Sequence, residues 1–215
     1  AEIGYDPETC SCQIRPYCVT TSGSLVSNIL LSVYRREYNG EFVEIASGIE
    51  NSQSHYVIDP HPSLDYARYR IVATNKSTGA VSYNDISGYP IGEPGAIIQW
   101  DSEWSEFDAS EADEADSLAN ASMTGSIVRL PYNLDVSDKT NPDVNLVKYA
   151  GRKRPVSYYG TQIGETSIWK TEVPVEDIDT IYALRRLQNY MGDVYVREQS
   201  GTGYWANITV AIDQT

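Results

Sequence analysis

Histidine is almost absent from this chain: His55 and His61 are the only two among 215 residues. Cysteine stops at three, Cys10, Cys12 and Cys18, all near the N-terminus. These shortages remove most catalytic constellations. No Ser–His–Asp order can be defended, and no Cys–His pair lies within reach in sequence. An odd number of cysteines cannot close into an intramolecular disulfide framework. The C-x-C-x5-C spacing could supply half of a zinc site. The other half is missing, so reduced thiols and no metal are expected. Carboxylates are plentiful, yet they sit in a polar run rather than beside aromatic residues at strand ends, as a glycosidase pair would require. The chain therefore reads as a protein that is not an enzyme, with no catalytic residue and no cofactor.

Positive charge is also in short supply. Sixteen Lys and Arg stand against thirty Asp and Glu, a formal net charge of −14. Phosphate contacts need Lys and Arg, which argues against a nucleic-acid partner. The same balance argues against docking on an anionic membrane. No apolar run approaches the length of a membrane span. The start shows no secretory leader, and the chain opens on Ala1 rather than Met, so a trimmed start or a piece of a longer chain is expected.

What the chain does have is tyrosine, 17 residues against two phenylalanines, and a hydrophobic content of 41%. That is enough to bury a core. Tyrosine combines apolar area with a hydroxyl that wants a partner, so it suits half-buried strands and wet interfaces. Residues 1 to about 22 read as irregular, with CVTTSG as a possible early strand. From Ile29 the pattern is β. ILLSVYRRE places Leu31, Val33 and Arg35 on one face. Tyr38-Asn39-Gly40 carries the Asn-Gly hairpin signal. EFVEIASG, SHYVID, DYARYRIVATN and AVSYNDI follow as short strands, which suggests a small β-sandwich.

These strands resemble the later part of a fibronectin type III module. The most specific run is Tyr-x-Tyr-Arg-Ile-Val in DYARYRIVATN, where Tyr66 or Tyr69 stands in the place of the tyrosine that braces a strand corner. The early strands and the usual Trp are not found: either the first two strands are degenerate or the cysteine segment supplies them. Such a module is a common spacer and does not specify function by itself.

Gly88 to Gly95 reads as a linker, and AIIQW as a short apolar run. Asp101 to Asp116 carries eight acidic residues and no basic one. Its spacing is not that of a calcium loop, so a solvated loop or short acidic helix is expected. Trp100, Trp104 and Phe107 stud its front as anchors to a neighbouring module. SIVRLPYNLDVSD resumes β character before a polar loop at Asn133, Asp135 and Asp138, and Asn141-Pro142 reads as a turn. VSYYG and Thr166 to Val173 read as two further strands. Pro174 opens a helix over about 175–191, with Ile178, Ile181, Leu184, Leu187 and Met191 as its apolar stripe and Gly192 at the C-cap. Glu176, Asp177 and Asp179 near its start and Arg185 and Arg186 near its end suit the helix dipole. A hairpin follows, with its turn at Ser200 to Gly203 and a return strand running to Ile212. Gly201-x-Gly203 lacks the rest of a phosphate loop and reads as that turn. The triplets at Asn75, Asn120 and Asn207 would be glycosylation sites only in a secreted eukaryotic protein.

The run GRKRPVSYYGTQIGETSIWKTEVP, the LRRL helix and MGDVYVREQSGTGYWANITV together resemble minor tail or tail-tip proteins encoded by phages and prophages of Gram-positive hosts. The resemblance covers roughly Ala96 to Val210. It implies a virion structural protein, assembled in the bacterial host cytoplasm, that forms a ring or trimer with copies of itself and contacts neighbouring tail proteins. The implied fold is mainly β (α+β): a fibronectin III-like β-sandwich at 1–90, a linker and acidic connector at 91–126, and a tail-tube or distal-tail-like β-sandwich or barrel flanked by one helix at 127–215. Arg152, Lys153 and Arg154 form a basic cluster suited to pairing with an acidic stretch of a neighbouring copy. With Tyr158, Tyr159, Trp169, Tyr204 and Trp205 they make up the expected oligomer interface. A second reading is a host-surface adhesin, in which Trp100, Trp104, Trp169 and Trp205 stack on the sugar rings of a cell-surface glycan.

Overall fold

The computed structural model describes residues 1–102, 105–108, 125–131, 134–147 and 156–213, the side chains of 105–108, 140–147 and 156–164 excepted. The protein is mainly β, with fourteen strands and one helix among these residues. It divides into two units, residues 1–131 with 174–215, and residues 132–173. The boundaries drawn from the sequence at 90 and 126 do not coincide with these units.

The first unit begins where sequence reading expected irregular chain. β1 (Glu2–Asp6) and β2 (Ser11–Arg15) form an antiparallel hairpin. CVTTSG contributes only an isolated bridge, Val19 to Leu25. The cysteines explain the difference. Cys12 is fully buried beside Ile14 in the sandwich core, where its thiol acts as a small apolar group. Counted that way, SCQIR alternates like any half-buried strand.

β2 pairs with β5 (His55–Asp59), and β9 (Ser105–Asp108) adds to the far side of β5. Part of the acidic connector is thus a strand; residues 103, 104 and 109–124 lie outside the described ones. The facing sheet runs in the order β4 (Phe42–Glu50), β3 (Ile29–Arg36), β6 (Tyr66–Asn75), β7 (Val81–Pro90). Gly40, at φ +89°, closes the β3–β4 turn at the Asn-Gly signal. One core joins the sheets: Cys12, Ile14 and Val57 from the first, and Leu31, Val33, Ile49, Tyr69 and Ile71 from the second. The expected N-terminal β-sandwich is therefore present. β7 runs on to Pro90, through the first part of the presumed linker.

β8 (Ala96–Trp100) is buried along its whole length, between β10 (Ser126–Leu130) and β13 (Val194–Glu198), with β14 (Gly203–Ala206) at the edge. The return strand stops at Ala206 because its partner β13 begins at Val194, so no ladder remains for residues 207–212. Helix α1 (Ile178–Gln188) packs on β10. It is shorter than expected at both ends. Asp177 is the N-cap, its side chain accepting from the Thr180 N–H, and the C-cap is Asn189 rather than Gly192. Ala183 and Leu187 are its buried residues; Met191 is 99% exposed.

The second unit is a two-stranded ribbon, β11 (Asp135–Val147) and β12 (Val156–Lys170). Asp135 and Asp138 of the expected polar loop, and the turn expected at Asn141-Pro142, are strand; Asn133 lies outside the described residues. A register shift between Pro142 and Val144 takes up the proline, which cannot donate to a ladder. The two strands expected on the C-terminal side are one, continuous through Gly160 and Gly164.

Candidate functional site

The expected interface residues fall into separate groups. Arg152, Lys153 and Arg154 lie outside the described residues, as does Trp104. Tyr158 and Tyr159 sit on β12 opposite Asn145 and Val144, with side chains outside the description, as is that of Phe107 on β9. Trp169 is half-buried on the ribbon, opposite Val136, and its Nε1–H donates to the Ser167 hydroxyl at 2.7 Å. Tyr204 and Trp205 belong to the first unit. The Tyr204 hydroxyl donates to Glu198 at 3.0 Å, and Trp205 is 59% exposed. Trp100 is buried, its ring 6.1 Å from that of Tyr190, so it anchors β8 rather than a ligand.

The densest polar chemistry lies in a cluster that sequence reading did not single out. Arg35, on the core face of β3, is buried and donates from Nη1 to Asp59 at 2.8 Å and from Nε to Glu37 at 2.9 Å. Asp59 also accepts from the Tyr69 hydroxyl at 2.7 Å and the His61 backbone N–H at 3.0 Å. Of the two tyrosines singled out in the sequence, Tyr69 is buried and makes this bond, while Tyr66 is 38% exposed. The His61 ring stacks on Tyr195 with centroids 4.1 Å apart and meets Trp205 edge-on at 5.5 Å. Its Nε2 bonds the Ser102 hydroxyl at 2.5 Å. Arg197, on β13, is fully buried and donates to the carbonyls of Cys10 and Pro62 at 2.8 and 3.1 Å and to Gln99 at 2.5 Å.

Electrostatics fits a fixed, ion-paired junction. Burial by itself would raise the Asp59 pKa, but Arg35, His61 and Tyr69 outweigh it and hold the carboxyl below its ordinary value. Burial pushes His61 down to about 3, so the ring is neutral. Burial raises the Cys12 thiol to about 12, which leaves it inert.

Ser102, His61 and Asp59 superficially suggest a hydrolase triad. The geometry does not support one. Asp59 bonds the backbone N–H of His61 rather than its ring, so among the described residues no carboxylate is seen to orient the imidazole. The void beside the cluster is about 10 Å³, room for a water at most. Among the described residues, no three His, Cys, Asp or Glu side chains converge as metal ligands.

Comparisons with protein-family models, curated proteins and solved structures find no match to this chain. One signal for the cluster was present in the sequence. The alternation of ILLSVYRRE puts Arg35 on the face of Leu31 and Val33, and a core-facing arginine calls for a buried acceptor.

Proposed function

We propose that this chain is a structural protein of a phage-like tail or tail tip, assembling in copies around the tail axis. The ribbon is the observation that carries this reading. An isolated two-stranded sheet is marginally stable in water. This one spans Asp135 to Lys170 and has apolar side chains on both faces: Val136, 45% exposed, beside Trp169 on one, and Ile168, 58% exposed, on the other. Such a ribbon gains stability by lying against a neighbour. The basic cluster Arg152–Arg154 falls in sequence between its strands and suits pairing with an acidic stretch of the next copy. The strand order of the N-terminal sandwich fits a fibronectin III-like spacer, and the buried junction fits a rigid building block.

The decisive measurement is stoichiometry and position in an intact particle by electron microscopy. A closed ring or trimer is expected in the virion, with neighbouring tail proteins in contact. Arg152→Glu combined with Arg154→Glu should leave the fold intact and impair assembly. A chain that stays strictly monomeric at high concentration and joins no particle would sink the proposal.

A second reading rests on Trp205, whose exposed ring is held at 5.1 Å, edge-on, by Tyr195. A pinned, exposed indole is a platform for a sugar ring of a host-surface glycan. Glycan binding abolished by Trp205→Ala would favour it; no glycan binding by the wild type would exclude it.

A further inference from the structure

We infer that β7 is a pairing edge, joining a second copy of this chain by antiparallel strand addition. The inference is independent of the tail reading.

Sheet edges are ordinarily guarded by shortness, bulges, charge or proline. In the first unit, the edges formed by β1, β9, β10 and β14 are four or five residues long. β4 is longer, but it carries Glu44 and Glu50 and its pairing with β3 shifts register twice. β7 has ten residues and, among the described residues, pairs only with β6. Its single charged residue is Asp85, and its one register shift lies beyond Ile86. The stretch Val81–Ile86 therefore keeps one register and carries Asp85 as its one guard.

The unpaired backbone groups on this edge can be assigned. The Asn75 N–H donates to the Ala80 carbonyl, so bonded pairs between β6 and β7 alternate from there. Val81, Tyr83 and Asp85 fall at the alternate positions and turn their N–H and C=O groups away from β6. An outward row of donors and acceptors is matched by another extended strand.

The side chains favour a second copy as that strand. With a two-fold axis at Tyr83, Tyr83 faces its own counterpart, Ser82 faces Asn84, and Asp85 faces Val81. The one charge avoids itself, and the central pair is aromatic, a favourable cross-strand contact. Tyr83 is 64% exposed but already ordered. The Arg70 guanidinium lies 4.2 Å from its ring and 4.0 Å from that of Phe42, and bonds Asp85 through two nitrogens. Little freedom remains to be lost on pairing.

The test uses the full chain at rising concentration in analytical ultracentrifugation. The wild type is expected to reach an even number of chains, and Tyr83→Lys to halve that mass while keeping the far-ultraviolet circular dichroism of the fold. On a Cys18→Ser background, oxidation of Tyr83→Cys should give a disulfide dimer, whereas Val81→Cys should not. A wild type that remains a single chain overturns the inference, as does a Tyr83→Lys chain that keeps the wild-type mass. Crosslinking at 81 in place of 83 overturns the register.

Discussion

Asp59 accepts three hydrogen bonds while fully buried, from Arg35, Tyr69 and the His61 backbone. Its loss would leave Arg35 only Glu37 as a carboxylate partner and Tyr69 without its acceptor, at a cost of up to about 3–5 kcal/mol for a broken buried pair. His61 next to it offers a cleaner test, because its ring is kept neutral. Its pKa is about 3 in the fold and 6.5 in the unfolded chain. Above pH 6.5 neither state holds the proton, and stability from this group is constant. Between pH 6.5 and about 3 the unfolded chain takes up a proton that the fold refuses, so stability falls as pH falls. The slope approaches about 1.4 kcal/mol per pH unit. The depressed Asp59 pKa contributes only lower down, its stabilisation being lost as pH falls below 3.8. Urea unfolding at pH 7 and pH 4.5 should therefore show His61→Gln losing about 2 kcal/mol less than the wild type across that interval. Equal losses would mean that His61 is not held neutral. The sequence showed His61 only as a scarce residue between two prolines. What fixes its state, Tyr195 and Ser102, is 134 and 41 residues away in sequence, beyond any local pattern.

Elements were legible where a local period decides them. The sandwich strands from Ile29 onward appear where alternation placed them, because each has one face in a common core. The helix was legible in its middle and misplaced at its ends. Gly192 suggested a cap, yet Asn189 terminates α1 and leaves Met191 in water. Asn141-Pro142 suggested a turn and the gap between VSYYG and Thr166 a break, yet Asn141, Pro142 and Gly164 each have a partner across the ribbon, and Gly160 continues the strand at the register shift. Such pairing is tertiary information. An eleven-residue helix has little stability by itself, so α1 depends on what Ala183 and Leu187 bury. Leu187→Asp should therefore detach α1, with loss of helical circular dichroism. Leu187→Ala should cost about 2–5 kcal/mol. Met191→Asp, which the sequence stripe would rank with Leu187, should change stability by less than about 0.5 kcal/mol. A large Met191 effect would show that α1 extends further than Gln188.

At the scale of the first unit, the sandwich and the β10–β8–β13–β14 sheet are joined by contacts that no sequence window contains. Gly88 to Gly95 looked like a linker between independent modules. Instead, Cys10, Leu64 and Ile97 share a small core. Arg129 bonds Cys10 Sγ at 3.0 Å, the Pro7 carbonyl at 2.9 Å and the Glu8 carbonyl. Gln199 donates to the Gly95 carbonyl at 2.9 Å, and the Ser63 hydroxyl to the Gly201 carbonyl at 3.1 Å. Arg197 is central to this seam. From β13 it holds the turn at Cys10, the chain at Pro62 and Gln99 on β8, through residues up to 187 positions apart. The two sheets should therefore melt together, in one calorimetric transition. Arg197→Met keeps most of the side-chain volume and removes the buried charge, which by itself need not destabilise. It also takes the donor from the Cys10 and Pro62 carbonyls, at about 1–3 kcal/mol for each group that water cannot reach. The expected result is a loss of several kcal/mol and a transition that separates into two, with the second sheet and α1 melting first because their apolar core is smaller. A single transition at the wild-type temperature in Arg197→Met would show that the apolar contacts of the seam suffice, and that the guanidinium does not couple the two sheets.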